Sequence, residues 1–512
     1  MGPGFAGSPR ATNSPFGHPR ESALSASAYN KQPARPGIRS GCLISTFWDS
    51  YQVEHNHTMD SLPPAAESPA NTVAIIGGGL GGVVLAVGLL RRNLPFHIYQ
   101  SAASFAEIGA GVTIGPNAVR ALSLNSPDLL EAFNKHVTLN ATTHASFLAF
   151  RRGIPLSLTD PDKESLLFDL TNDESAPNWT ASPARMAVHR AKFLDEMVRF
   201  IPANAVSFKK SLVKIEDIPF DVVSDSGFGS GSESGDDDRD TPTEGVKLIF
   251  ADGTSATHAV VIGCDGIRSA ARKYVHGEKS APEFTGEYAY RALVPADVMI
   301  STMGFDRAMN GQCAIAPGGT ITTYPVEKGE SVNVVAIRTR PGSEWTNGSW
   351  LAPAATEDLL EDFQGWDQRL LDLLVNYGLK SKLALFQYQH DRPYYKGRVC
   401  LLGDSAHAMT PNLGAGAGQA MEDGYVLAAL MEARPPRSAK DVEKVFAAYD
   451  AVRRPRSQEV VRLSHLCGRT YSHQQEGVGD DYDKMRVELV DRIKWVYNED
   501  LEAHFKKAKA ML

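Results

Sequence analysis

The sequence predicts an α/β protein in which a doubly wound parallel sheet is interrupted by a β-rich domain and followed by helices. Three separated segments carry that reading: Val73-Ala-Ile-Ile-Gly-Gly-Gly-Leu-Gly-Gly82, Val261-Ile-Gly-Cys-Asp-Gly266 and Val399-Cys-Leu-Leu-Gly-Asp-Ser-Ala-His407. Each is a short apolar run ending in glycine, and two add an aspartate. Parallel strands built this way deliver backbone N–H groups and carboxylates to the carboxyl edge of their sheet.

Val73 to Ile76 reads as a buried strand, and Gly77, Gly79 and Gly82 follow at G-x-G-x-x-G spacing. Gly77 permits the tight turn, Gly79 lets a pyrophosphate approach the backbone, and Gly82 lets a helix from about Val83 to Arg92 pack close. The same glycines argue against a membrane span across the apolar residues 73–90. The next strand, Phe96 to Tyr99, ends where an acid commonly holds ribose hydroxyls, and this chain has Gln100 there. Its amide oxygen accepts a hydrogen bond without the charge assistance of a carboxylate. Val246 to Phe250, the turn Ala251-Asp252-Gly253 and a strand from Ala259 to Gly263 read as a hairpin, with Asp221-Val-Val223 a neighbouring strand.

Runs such as Thr320-Ile-Thr-Thr-Tyr324 and Val332-Asn-Val-Val-Ala-Ile337 read as strands of the second domain. Arg398 to Leu402 leads into Gly403-Asp404, after which Pro411-Asn-Leu-Gly-Ala-Gly-Ala-Gly-Gln419 opens a helix through Met421, Glu422, Leu427 and Met431. Small residues before a helix again leave N–H groups free for a polar ligand. Val442, Val445, Phe446 and Tyr449 recur at helical spacing. The expected organisation is an extension over 1–70, a nucleotide-binding domain over 71–280 and 395–440, a β-rich domain over 281–394, and helices over 441–512. The Ser-, Gly- and Asp-rich residues 224–244 read as an insertion.

With 512 residues, 43% hydrophobic and 22% charged, the chain can bury a large core. A net charge of −8 gives no reason to expect nucleic acid or an anionic membrane as partner. Five scattered cysteines without a C-x-x-C pair argue against a disulfide framework or zinc site and fit a reducing compartment such as the cytoplasm. The basic, Ser-rich residues 1–58 also fit a mitochondrial transit peptide, although their prolines oppose its amphipathic helix; Met59 is an alternative start.

Two glycine-rich helix entrances suit one cofactor with two extended halves. The chain resembles the group A flavin-dependent aromatic hydroxylases, which include salicylate hydroxylase. The resemblance is carried by Gly77-Gly-Gly-Leu-Gly-Gly82, Glu107-Ile-Gly-Ala-Gly-Val112, Pro116-Asn-Ala118, His189-Arg190, Cys264-Asp-Gly-Ile-Arg-Ser269 and Tyr290-Arg291. It continues through Gly403-Asp-Ser-Ala-His-Ala408, Gly414-Ala-Gly-Ala-Gly-Gln-Ala420 and Trp495-Val-Tyr-Asn-Glu-Asp-Leu501.

The resemblance implies a Rossmann-like FAD-binding domain and contacts to FAD from Gln100, Gly111, Arg190, Asp404 and Ala417, beside Gly77, Gly79 and Gly82. Gln100 departs from the family's usual glutamate. Arg291 and Tyr324, 33 residues apart, match a catalytic pair of the family's fungal phenol-dearomatising members. NADPH or NADH reduces the flavin in such enzymes, O2 forms a flavin hydroperoxide, and an activated phenol attacks it; no metal takes part. NAD(P)H has no second fingerprint here and is expected to bind transiently. An always-charged guanidinium suits pairing with phenolate, and a tyrosine hydroxyl can donate to the same anion.

Other readings stand beside these. Arg291 also suits an interdomain ion pair, Tyr324 a packed strand residue, and His407 a structural role beside the flavin. Tyr288 and Tyr290 share one strand face of unknown direction. Salicylate leads as substrate, with a polyketide-derived phenol as alternative. A dehydrogenase using the first fingerprint alone leaves Gly403-Asp404 unexplained, and a silent flavoprotein leaves Arg291 unexplained.

The substitution at the ribose position gives a direct expectation. Gln100→Glu restores a charged acceptor and should tighten FAD, measured as cofactor retained on gel filtration; unchanged or poorer retention refutes the weakened contact.

Overall fold

In the computed structural model, the strands Val399–Leu401, Val260–Gly263 and Val73–Ile76 lie side by side in parallel, and Phe96–Gln100 continues the row. All three glycine segments therefore leave one sheet edge together. The structure describes residues 72–105, 111–141, 146–171, 185–218 and 245–512. The extension over 1–70, the insertion over 224–244, the Asp221-Val-Val223 strand and part of the Glu107 to Val112 motif lie outside the described residues.

The sheet has six strands, with Val206–Phe208 at one edge and the antiparallel Tyr395–Lys396 at the other. Val73–Ile76 and Val260–Gly263 are buried throughout. That is the requirement for central strands covered on both faces. The first helix spans Leu80–Arg91, starting three residues before its expected position because extended Gly79 takes the N-cap place. The hairpin expectation needs correction. Val246–Phe250 pairs antiparallel with Ser255–His258 and with Leu212–Asp217, whereas Val260–Gly263 joins the parallel sheet. A strand buried on both faces cannot remain the edge of a small exposed hairpin.

An eight-stranded sheet runs in the order Leu351–Pro353, Ser381–Gln387, Glu283–Pro295, Ser331–Thr339, Gly319–Val326, Gln312–Ala316, Ser146–Arg152 and Leu166–Thr171. Two of its strands precede residue 280 in the chain. Alternation divides Glu283–Pro295 between two environments. Tyr288, Tyr290, Ala292 and Val294 pack among Met299, Leu359, Phe363 and Leu370 from the helices behind the sheet. The hydroxyls of Tyr288 and Tyr290 both donate to Asp362 at 2.7 Å. The intervening residues, including Arg291, face the other way.

The expected C-terminal helices are Ala439–Tyr471, Tyr482–Tyr497 and Leu501–Lys509, the first opened by a Ser438/Asp441 capping box. Among the described residues no helix is long and apolar enough to cross a membrane. Ala439–Tyr471 packs on Gly416–Ala433 through charges that are wholly buried. Arg453 donates to Asp423 at 2.7 Å and pairs with Glu422, which Arg456 also holds at 2.8 Å. Asp423 in turn accepts from His407 at 2.6 Å and from the Gly403 N–H at 3.0 Å.

Such a network is stable only when every charge has its partner. Arg453→Met should cost roughly 3–5 kcal/mol in urea unfolding, because Asp423 loses its cationic partner in a dry interior. The arginines and His407 hold both carboxyls below the usual carboxylate range. Their contribution is therefore present above about pH 4 and is lost on further acidification. A variant as stable as the parent at neutral pH would contradict this account.

Candidate functional site

A cavity of about 680 Å³ runs from the carboxyl edge of the parallel sheet to the face of the large sheet opposite Tyr288 and Tyr290. Gly77, Gly79, Gly82, Gln100, Gly111, Arg190, Arg291, Tyr324, Asp404 and Ala417 all line it. Ten positions spread over 341 residues of sequence (77 to 417) thus share one space.

At the parallel-sheet end, Gly77 turns with φ +105°, and a Cβ there would lie 2.4 Å from the Cys264 carbonyl oxygen. A Cβ on Gly82 would lie 2.1 Å from the Gly77 carbonyl oxygen. The helix that follows has no side-chain cap and no acid in its first turn, so its N–H groups remain open to an anion. The Gln100 amide oxygen accepts the Gly78 N–H at 2.9 Å. Gln100 therefore holds the glycine loop as well as facing the cavity, and a glutamate could accept the same bond. Asp404 follows Gly403, whose φ of 68° turns the chain out of Val399–Leu401. Ala417 lies in the first turn of Gly416–Ala433, and Arg190 opens Arg190–Met197.

Gly111 joins the two ends. Its N–H donates to the Asn333 side chain at 3.4 Å, and its carbonyl accepts from the Tyr324 hydroxyl at 2.9 Å. A Cβ at this position would meet Val326 at 2.7 Å and the Tyr324 ring at 2.8 Å, so only glycine fits without rearrangement. The Tyr324 proton is thus engaged by backbone in this structure. Arg291 lies across from Val335, which pairs with Thr322 on the next strand. Its Nε has no hydrogen-bond partner, burial lowers its pKa, and the charges it senses are Tyr324 and Arg190. A carboxylate ion pair is not its role among the described residues.

His407 is fully buried against Asp423 and does not line the cavity. Among the described residues no cluster of His, Cys, Asp and Glu could hold a metal. Two residues escaped the sequence reading. Arg185 lies just before the strand Met186–His189, with its guanidinium 4.2 Å from the centre of the Tyr324 ring. No motif marks it. Glu287 is 2% exposed, and both its oxygens lie 3.3 Å from the Asn412 amide nitrogen in the cavity-lining Pro411 to Gly414 turn. Period-two spacing from Arg291 was the signal for Glu287.

The two ends call for different chemistry: open backbone N–H groups and Asp404 suit phosphates and hydroxyls, whereas buried guanidinium suits a small anion. FAD fits this donor set along the glycine-lined walls, which defines the class as a flavoprotein oxidoreductase. Residues 235–464 match the family model described as an FAD binding domain. The 6-methylsalicylate 1-monooxygenase of Aspergillus terreus is 36% identical over 443 residues, 85% of this chain and 91% of that protein. A salicylate hydroxylase of Pseudomonas putida is 33% identical over 87% of this chain and 95% of its own length. A solved salicylate hydroxylase substrate complex matches with a TM-score of 0.68 at 29% identity, covering 86% of this chain and 98% of that one. The chain belongs to the FAD-dependent monooxygenase family that contains salicylate hydroxylase.

Burial pushes the Glu287 carboxyl up to about 7, against the opposing hydrogen bonds of Asn412 and Thr339 and the charge of Arg469. An unfolded chain ionises this group near pH 4, so stability should fall as pH rises from about 4 to 7 and level off above, by roughly 3 kcal/mol. Glu287→Gln removes that loss. The variant should unfold at higher urea than the parent near pH 8, and the advantage should vanish near pH 4; a difference independent of pH would refute it.

Proposed function

We propose that this monooxygenase hydroxylates a small phenol with NAD(P)H and O2, and that salicylate, converted to catechol and carbon dioxide, is the leading candidate. The observation that carries the reading is Arg291, a half-buried guanidinium lining the cavity with no carboxylate partner among the described residues. The salicylate and 6-methylsalicylate activities named for the relatives support the same substrate class.

Gly77, Gly79 and Gly82 take the pyrophosphate of FAD, Gln100 and Asp404 its hydroxyl-bearing chains, and Gly111, Arg190 and Ala417 the remainder. The domain division at about residues 280, 395 and 440 accompanies this assignment. When bound and reduced, FAD activates O2 so that one oxygen atom can pass to an electron-rich ring. The protein must then supply the ring as its phenolate. A phenol with a pKa of about 10 costs roughly 4 kcal/mol to ionise at neutral pH. One preorganised donor offsets about 3 kcal/mol, so Arg291 alone leaves a small remainder. Tyr324 supplies it: a bound phenolate is a stronger acceptor than the Gly111 carbonyl, and the hydroxyl turns to it.

The purified protein should be yellow, and a panel of phenols and phenolic acids should contain compounds that accelerate NAD(P)H oxidation and yield hydroxylated product. Arg291→Ala should lower turnover by about 100-fold or more with FAD still bound. Normal turnover in that variant, or the absence of any hydroxylated product, would overturn the proposal.

A further inference from the structure

We infer that Arg185 determines substrate choice by binding a carboxylate carried on the same aromatic ring whose hydroxyl meets Arg291; the inference rests on the phenol-hydroxylase reading above. Arg185 is 7% exposed and lines the cavity, yet among the described residues its Nε has no hydrogen-bond partner. Its Nη2 donates to the Thr113 hydroxyl at 2.6 Å, a neutral acceptor. Two aromatic rings lie beside it, with the guanidinium 4.2 Å from the Tyr324 ring centre and 5.5 Å from that of Phe147.

A buried guanidinium is ordinarily matched by a carboxylate, because an unpaired charge in a dry interior is costly. Neither acid that lines this cavity among the described residues, Asp265 or Asp404, forms an ion pair with Arg185. Asp265 accepts the Ala270 and Ala271 N–H groups at 2.7 and 3.1 Å, and Asp404 stands at the exit of the parallel sheet. The aromatic faces compensate Arg185 only in part. Its guanidinium lines the cavity and can meet an anion that enters there.

Charge counting then narrows the ligand. Burial raises the Tyr324 pKa, and Arg185 and Arg291 both oppose that rise, so two guanidiniums converge on one neighbour. A simple phenol brings one negative charge on ionisation, whereas a hydroxybenzoate brings two. With the phenolate oxygen at Arg291, a carboxylate at Arg185 can take a charge-assisted and even bidentate contact. The structure therefore favours a ring-carboxylated phenol over a neutral one.

The test uses the FAD-loaded enzyme and two unreactive probes of matched shape, benzoate and benzamide, titrated while flavin absorbance is followed. Benzoate should bind roughly 10- to 100-fold more tightly, the effect of a hydrogen bond to a charged group. Arg185→Gln should abolish the preference and Arg185→Lys should recover part of it. In turnover, kcat/KM for salicylate should fall by that same factor relative to phenol. Equal binding of benzoate and benzamide by the unaltered enzyme overturns the inference even where the glutamine variant fails to fold. An equal loss for both probes in Arg185→Gln also overturns it, marking the arginine as a general support of the cavity. Benzoate binding needs no turnover, so a protein that prefers benzoate through Arg185 but hydroxylates nothing would sink the phenol-hydroxylase reading and leave the carboxylate site standing.

Discussion

Two adjacent carboxylates that never see solvent, Glu422 and Asp423, hold the cofactor end of this molecule in place. They lie on the helix Gly416–Ala433, and their partners come from three other parts of the chain: Arg453 and Arg456, the Gly403 N–H with His407, and Asn117. Desolvation of two acids and two arginines is unfavourable, and mutual pairing must offset it. That requirement gives the network its geometric rigidity. The strand exit bearing Asp404, the helix Pro116–Asn125 and the long C-terminal helix cannot move separately without exposing or unpairing a charge.

The opposite end is organised by strand alternation instead of charge. On Glu283–Pro295, Tyr288 and Tyr290 turn to the helices and share Asp362, which leaves Glu287, Ala289 and Arg291 for the other face. Gly111 then connects the ends, because its two backbone polar groups are bonded to Asn333 and Tyr324 of the large sheet. A side chain at Gly111 would meet Val326 and Tyr324 and push these two walls of the cavity apart. Tyr324 thus ties this joint while its ring lies 4.2 Å from the Arg185 guanidinium.

Much of the parallel sheet was legible because its signals are local. Gly77, Gly79 and Gly82 specify a turn and a close helix whatever the surroundings, and the apolar runs before Gly263 and Gly403 announce buried strands. The misreading of Val246–Phe250 has a physical cause. A turn with Asp252-Gly253 fixes that the chain reverses, but the next residues that pair are Ser255–His258, and only burial on both faces removes Val260–Gly263 to another sheet. Helix onset was displaced for a similar reason, since an extended glycine can cap as well as turn.

The sequence by itself determined the flavin fingerprint, the departure at Gln100 and the strand periodicity that makes Arg291 and Tyr288 face opposite ways, because each depends on neighbours a few residues distant. Only the tertiary structure decided which of those faces meets the cavity, that the Tyr324 proton is engaged by Gly111, and that Arg185 lies buried over an aromatic ring with no acid partner among the described residues. Those outcomes depend on contacts between residues more than a hundred positions apart, and no local pattern encodes the sign of a face or the missing partner of a charge.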